Sequence, residues 1–521
     1  MRPSSHTAAA PVAAFPAALV AIVVAGLLMG LSLVHPTRSI EAATQPTAHI
    51  VVLNGTTAAD GSFQVGGSDA LNLVAARQLI GAAGATVEVD LADQIGVLLV
   101  RATPEAAATI AASALVAEAA PDFAWKALPS YDEAVASGEL TVLAPEDVPG
   151  AGPEQTADPL EALQWDMIQI RAPQAHGVQS GGRSVDVGIL DTGIDATHPD
   201  FVIDGALTNV DCARGRNSIT FVPMGPGVGT PVACSDNGFH GTHVAGTVAA
   251  QANQLGVVGV APNATLIPVK VCDSSGFCYA SAVVDGITYA ADQRFDVINM
   301  SFFVDDDGFQ ESTEFKCSSD ETQRAFRQAV ERAIQYARNQ GVTPVAALGN
   351  SDQDLAHPTD DAGQPISNEC AVVPAETKGV IGTVSLGQKS EKAGYSNYGT
   401  GRADIAAPGG AGTTGDCRTT ILSTLPGGTY GCIQGTSMAS PHAAGVAALI
   451  VSQYGSLGTD GDVRLSPTKV EALLQGSAVD IGLPGYDECF GNGRIDALRA
   501  VTGDTSFSYD DAAPFCPEYE E

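Results

Sequence analysis

Three stretches of this 521-residue chain carry the side chains that nucleophilic catalysis needs: an acid in VDVGILDTGIDATHPDF, a histidine in NGFHGTHVAGTVAA and a serine in GTSMASPHAAGVAALI. In the first, an apolar run ends at Leu190 and delivers Asp191 to the carboxyl edge of a strand, where α/β proteins place their sites. DTG also marks aspartic proteases, but that chemistry needs a second carboxylate to share a proton, and no second DTG or DSG occurs. In the second, His240 heads a run of Ala, Val and Gly small enough to pack a helix close to a sheet. His243 follows one turn later; the acid of the HExxH zinc pattern is missing, so it reads as a packed core histidine. In the third, Ser437 lies between Gly435 and Ala439 at the mouth of another small-residue helix. The N–H groups and dipole of that helix end would stabilise an oxyanion. Taken alone, such a serine reads first as a helix N-cap. A fourth stretch, GVTPVAALGN, is a buried strand ending at Gly349 and Asn350, whose amide would serve as a second oxyanion donor; taken alone, GN is a turn.

The elements that would hold these residues follow from the apolar pattern. Val185 to Leu190, Leu266 to Val271, Val297 to Met300 and Val342 to Leu348 are continuous apolar runs that alternate with helical stretches such as Gln323 to Asn339. This predicts an α/β fold, a mostly parallel sheet with helices on both faces. Ahead of it, His49 to about Trp125 reads as strand, helix (Asp69 to Gly84), strand, strand, helix (Pro104 to Val116), strand, a small α+β unit of ferredoxin-like order with no catalytic constellation. Between the two, from about Leu128 to Pro159, the chain is rich in Pro, Gly and acid, which predicts an exposed linker.

A formal charge of −34, from 59 acidic and 25 basic residues, opposes broad attachment to nucleic acid or an anionic membrane. The amino terminus has Arg2, then an apolar stretch from about Phe15 to Val34, then the small residues Ala42 and Ala43. That pattern is an export signal, or an uncleaved anchor, since the run is long enough to span a bilayer. All ten cysteines lie between Cys212 and Cys516, which points to disulfides in an exported domain and a cysteine-free segment that is removed. A zinc site is the rival use, but no CxxC pair with a partner pair is present. Nearest-neighbour pairing gives Cys212 with Cys234, Cys272 with Cys278, Cys317 with Cys370, Cys417 with Cys432, and Cys489 with Cys516.

Taken together and in the order Asp, His, Asn, Ser, the four stretches resemble the subtilisin-like serine proteases over the region from about Leu163 to Val501. The resemblance implies a secreted serine endopeptidase in which Ser437 attacks a peptide carbonyl, His240 moves the proton, Asp191 orients the imidazole, and the Ser437 N–H and Asn350 amide hold the oxyanion. It also implies a domain plan: signal or anchor at residues 1–43, an inhibitor-type propeptide at 44–127, a linker with the maturation site at 128–157 and the peptidase at 158–521. The partners are then protein or peptide substrates and the chain's own propeptide, with a membrane involved only if the signal stays uncleaved, and a monomer is the expected state.

Two further sets of residues come with the resemblance. QANQLGV is similar to the family's calcium loop, with the Asn253 side chain and the carbonyls of Gln251, Leu255 and Val257 as ligands, and with Asp200 and Asp158 completing the site. A polar turn is the other reading. A peptide substrate would lie between SSGF, with Ser275 and Gly276, and Ser301, with Gly349 near the scissile bond. Here the chain departs from the family: Phe302, Phe303 and Val304 replace the usual Leu-Gly-Gly, and an acidic insertion runs from Asp305 through Glu321. A bulky residue there should narrow the subsites or move the edge. That departure leaves open a non-catalytic binding protein on the same fold, and the apolar amino terminus leaves open a membrane-tethered processing protease.

Overall fold

Runs such as Val297–Met300 are buried on both faces, which requires a sheet covered on both sides. The computed structural model describes residues 45–57, 63–64, 69–143, 158–205, 207–219, 232–304, 320–359, 363–367, 371–413, 415–458 and 461–506. The expected signal or anchor, the acidic insertion from Asp305 to residue 319, and Cys317, Cys370 and Cys516 lie outside them.

The amino-terminal unit contains β1 (Thr47–Leu53), α1 (Asp69–Ala82), β2 (Thr86–Leu91), β3 (Val97–Ala102), α2 (Pro104–Ala111) and β4 (Val116–Pro121). Its strands pair antiparallel in the order β2-β3-β1-β4, the ferredoxin-like arrangement. α2 stops before Val116, because Val116 opens the last strand. One face of this sheet, with Val51, Leu53, Leu98 and Val100, packs on the unit's own helices. The other, with Ile50, Val52, Val97 and Leu99, belongs to the core of the large domain.

The stretch after Leu128, expected to be an exposed linker, is folded up to Leu143. Preceded by β5 (Ala124–Lys126), it holds α3 (Tyr131–Ser137) and β6 (Thr141–Val142). Ser130 and Glu133 form a reciprocal capping box that starts α3. Ala134 and Leu140 are buried, and this tertiary packing outweighs a composition that reads as linker. Residues 144–157 lie outside the described set.

The large domain contains α4 (Trp165–Gln169), β7 (Asp186–Asp191), β8 (Arg216–Asn217), α5 (His240–Ala249), β9 (Thr265–Lys270), β10 (Phe277–Tyr279), α6 (Ala280–Asp292), β11 (Val297–Met300), α7 (Glu321–Asn339), β12 (Thr343–Ala347), β13 (Ile381–Leu386), β14 (Ile405–Pro408), the hairpin β15 (Ile421–Leu425) and β16 (Thr429–Ile433), and α8 (Thr436–Tyr454). Seven strands form a parallel sheet in the order β8-β9-β7-β11-β12-β13-β14. Alternate residues of each strand feed two cores. Ile189, Val297 and Val345 pack with residues of α5 and α8, whereas Leu190, Ile298 and Ala346 pack with residues of α6 and α7. The register sets Lys270 beside Asp191 and Met300 beside Leu190, so the strand ends that carry the expected site residues lie along one edge.

Candidate active site

Asp191 ends β7 and is fully buried; its Oδ1 accepts the Thr192 N–H at 2.7 Å. His240 is the first residue of α5, and its Nδ1 lies 3.0 and 2.9 Å from the two Asp191 carboxylate oxygens. A carboxylate accepts, so Nδ1 carries a hydrogen, and in the neutral ring Nε2 is then the nitrogen with the lone pair. Glycine permits this approach: a Cβ on Gly241 would stand 2.1 Å from the Gly193 carbonyl oxygen. His243, one turn further, is buried; its Nε2 meets the Ile421 carbonyl at 3.1 Å, and burial pushes its pKa down to about 3.

Ser437 is the second residue of α8. Its hydroxyl donates to the Ser301 carbonyl at 3.0 Å, while the Ser301 hydroxyl donates to the Ser437 carbonyl at 2.8 Å. The Asn350 amide oxygen accepts from the N–H and hydroxyl of Thr436, at 3.0 and 2.8 Å, which leaves its nitrogen to donate elsewhere. A Cβ built on Gly435 would lie 3.5 Å from Asn350 Nδ2 and 3.6 Å from the Ser437 nitrogen. Two donors thus border one space, which stays open because residue 435 has no side chain.

The expected substrate edge is partnered by the chain's own amino-terminal part. β10 pairs antiparallel with β5, and the Gly276 carbonyl accepts the N–H groups of Ala127 and Leu128, both at 3.1 Å. The Ser275 carbonyl accepts from the Lys126 ammonium. The Trp125 indole donates to the Phe303 carbonyl at 2.9 Å. Phe302 does not block the cleft; it is fully buried, 6.4 Å ring to ring from Trp125. Gly349 has φ +112°, and a Cβ there would meet Asn397 Nδ2 at 2.3 Å.

The residues expected to hold calcium also come together. Asp158 Oδ1 accepts the N–H groups of Asn253 and Leu255, at 3.2 and 3.0 Å, and Asp200 Oδ2 accepts that of Val257 at 2.9 Å. The Asn253 amide nitrogen donates to the carbonyls of Pro199 and Val202, and the Gln251 side chain donates to that of Pro262. Asp200 Oδ1 is buried with no hydrogen-bond partner. Burial pushes the Asp200 carboxyl up to about 8, with Asp158 adding like-charge repulsion, and pushes Asp158 up to about 6. An orphaned carboxylate oxygen near a second carboxylate fits a hard divalent cation.

The subtilase family model matches residues 182–493. Subtilisin NAT of Bacillus subtilis subsp. natto is 35% identical over 341 residues, 66% of this chain and 72% of that protein. The chain belongs to the subtilase family. It is a subtilisin-like serine endopeptidase, a hydrolase of peptide bonds. Subtilisin DY of Bacillus licheniformis is 36% identical over 64% of this chain and 96% of its own length. A protease of Pseudoalteromonas arctica PAMC 21717 is 30% identical at TM-score 0.52, covering 67% of this chain and 99% of that one. The epidermin leader peptide processing serine protease of Staphylococcus aureus shares the fold at TM-score 0.64, with 21% identity over 89% of this chain and 100% of that one.

Several residues that build this subtilase's site escaped the sequence reading. Buried Asp236 accepts from the Thr192 hydroxyl, the Gly238 N–H, and the N–H and hydroxyl of Thr242, tying the Asp191 turn to the start of α5. Lys270, fully buried, donates to Asn237 Oδ1 at 2.9 Å and to the Thr192 carbonyl. A lysine within the apolar run Leu266 to Val271 was the available signal, because a buried ammonium requires acceptors. Three expected disulfides are present, Cys212–Cys234, Cys272–Cys278 and Cys417–Cys432, and Cys489 is also oxidised.

Proposed function

We propose that this subtilase cleaves peptide bonds with Asp191, His240 and Ser437 as its triad and is made as a self-processing, exported zymogen. The observation that carries the reading is the space over Gly435, bordered by two donors, the Asn350 amide nitrogen and the Ser437 N–H. In the reaction, the Ser437 hydroxyl turns from the Ser301 carbonyl to His240 Nε2, gives up its proton and attacks the substrate carbonyl. The new oxyanion enters the space over Gly435. His240 then protonates the leaving amine, and water hydrolyses the acyl-enzyme by the same route. Asp191 holds the imidazole in the tautomer that this requires.

Residues 44–127 act as the inhibitor and folding aid. Support comes from β5 lying along β10, and from α7, where Arg324 pairs with Glu118 at 3.0 Å and Arg332 donates to the Leu53 carbonyl at 3.0 Å. The maturation cut falls within 128–157. Calcium, held by Asp158, Asp200, Asn253 and the carbonyls of Gln251, Leu255 and Val257, neutralises the paired carboxylates and stiffens the loop after α5. Disulfides and the apolar amino terminus support export; among the described residues no helix is long and apolar enough to cross a membrane.

The test is the full-length Ser437→Ala protein beside wild type, assayed for propeptide cleavage, casein hydrolysis and fluorophosphonate labelling. All three are expected only in wild type. A Ser437→Ala protein that matures and digests casein sinks the assignment.

A further inference from the structure

We propose that Ser440, Asn299 and Ser301 form a one-way hydrogen-bond relay that positions Ser437 by holding its main-chain carbonyl, an inference that rests on Ser437 being the nucleophile. Pro441 lies inside α8, four residues after Ser437. It has no N–H, so the helix bond that would close on the Ser437 carbonyl cannot form. The Ser301 hydroxyl supplies the replacement at 2.8 Å.

That hydroxyl is itself directed. A carbonyl only accepts, so the Ser301 hydrogen must point at Ser437, and the Ser301 oxygen is free to accept. It does so from Asn299 Nδ2 at 2.8 Å. This orientation turns Asn299 Oδ1 to Ser440, whose hydroxyl donates to it at 2.7 Å. Ser301, Asn299 and Ser440 are fully buried, so water does not compete for these bonds. The relay leaves α8, crosses to the end of β11 and returns to α8 three residues earlier. By fixing the Ser437 carbonyl it fixes ψ at Ser437 and the direction of the Cα–Cβ bond that carries the nucleophile. Ser301 is therefore a positioning residue through its side chain, apart from any contact its main chain makes with substrate.

The test compares wild type, Ser301→Ala, Pro441→Ala and the double variant, all matured from the full chain, by peptide hydrolysis and by the rate of fluorophosphonate labelling. For Ser301→Ala we expect kcat to fall roughly ten- to hundredfold with KM changed by less than about twofold, the mark of an interaction that serves the chemical step. In the double variant the loss of Pro441 brings back an N–H that can close on the Ser437 carbonyl, and most of the lost kcat should return. A Ser301→Ala enzyme labelled as fast as wild type overturns the relay, as does a double variant that regains melting temperature but not kcat. If wild type itself takes up no label, the assignment of Ser437 falls, and the relay with it. Should Ser301→Ala yield no folded protein, Ser440→Ala carries the test from the far end: slower labelling supports the relay, and an unchanged rate overturns it.

Discussion

Thr436 grips the Asn350 amide by its oxygen, through both its N–H and its hydroxyl, at 3.0 and 2.8 Å. The grip turns a freely rotating, solvent-exposed side chain into an oriented donor. It also joins the end of β12 to the start of α8, so that a strand and a helix distant in sequence contribute to one small space.

Replacing that donor should injure the reaction and spare the fold. Asn350→Leu is expected to lower kcat by about two to three orders of magnitude with little change in KM. Gly435→Ala reaches the same end from the other side, since its Cβ would sit 3.5 Å from Asn350 Nδ2, in ordinary contact, and occupy the oxyanion's place. Steady-state kinetics beside thermal melts check both; a fully active Gly435→Ala protein would contradict this use of the space.

Calcium should act on stability through Asp200. Chelation is expected to lower the melting temperature of wild type, because a ligand bound only by the folded state stabilises it. Asp200→Asn removes one ligand charge and relieves the crowded carboxylates, so its melting temperature should barely respond to chelator or to added calcium. Differential scanning calorimetry in both conditions decides this, and an equal response in the two proteins removes Asp200 from the site.

His243 gives the protein an acid-sensitive side. Its folded pKa, about 3, lies below that of a free histidine, so the folded state binds fewer protons. Its contribution to stability is complete above roughly pH 6.5 and is lost progressively as the pH falls toward the folded value. His243→Gln keeps a side-chain donor for the Ile421 carbonyl without the titration. Its melting temperature should fall less steeply than that of wild type between about pH 6.5 and pH 4.

Cys417 and Cys432, 15 residues apart, tie the segment before β15 to β16. Replacing both with Ser should cost about 3 kcal/mol by the loop-entropy relation. Urea unfolding of the matured protein measures it, and a change within error would show that the unfolded chain is held compact by other means.

How much of this was legible in the sequence depended on whether the information is local. β11 was readable to the residue because three of its four residues, Val297, Ile298 and Met300, are apolar and mark a short buried strand. Asp191 meets His240, and Asn350 meets the start of α8, on elements whose ends were visible. α3 was hidden. Pro, Gly and acid around it read as linker, although the Ser130 and Glu133 capping box was a local sign of a helix start. The relay was not legible at all: Asn299 and Ser440 lie 141 residues apart, and only the crossing of β11 and α8 brings them together.

The amino-terminal sheet has one more consequence. Its Ile50, Val52, Val97 and Leu99 face is covered by the large domain rather than by α1 or α2. Once detached, this unit would show water a bare apolar face and lose the partner that makes its folded state worthwhile. It would then be a loose chain beside an active endopeptidase, and its digestion would remove any chance of return. Removal would act as a ratchet, driven forward by the unit's own dependence on the domain that covers it.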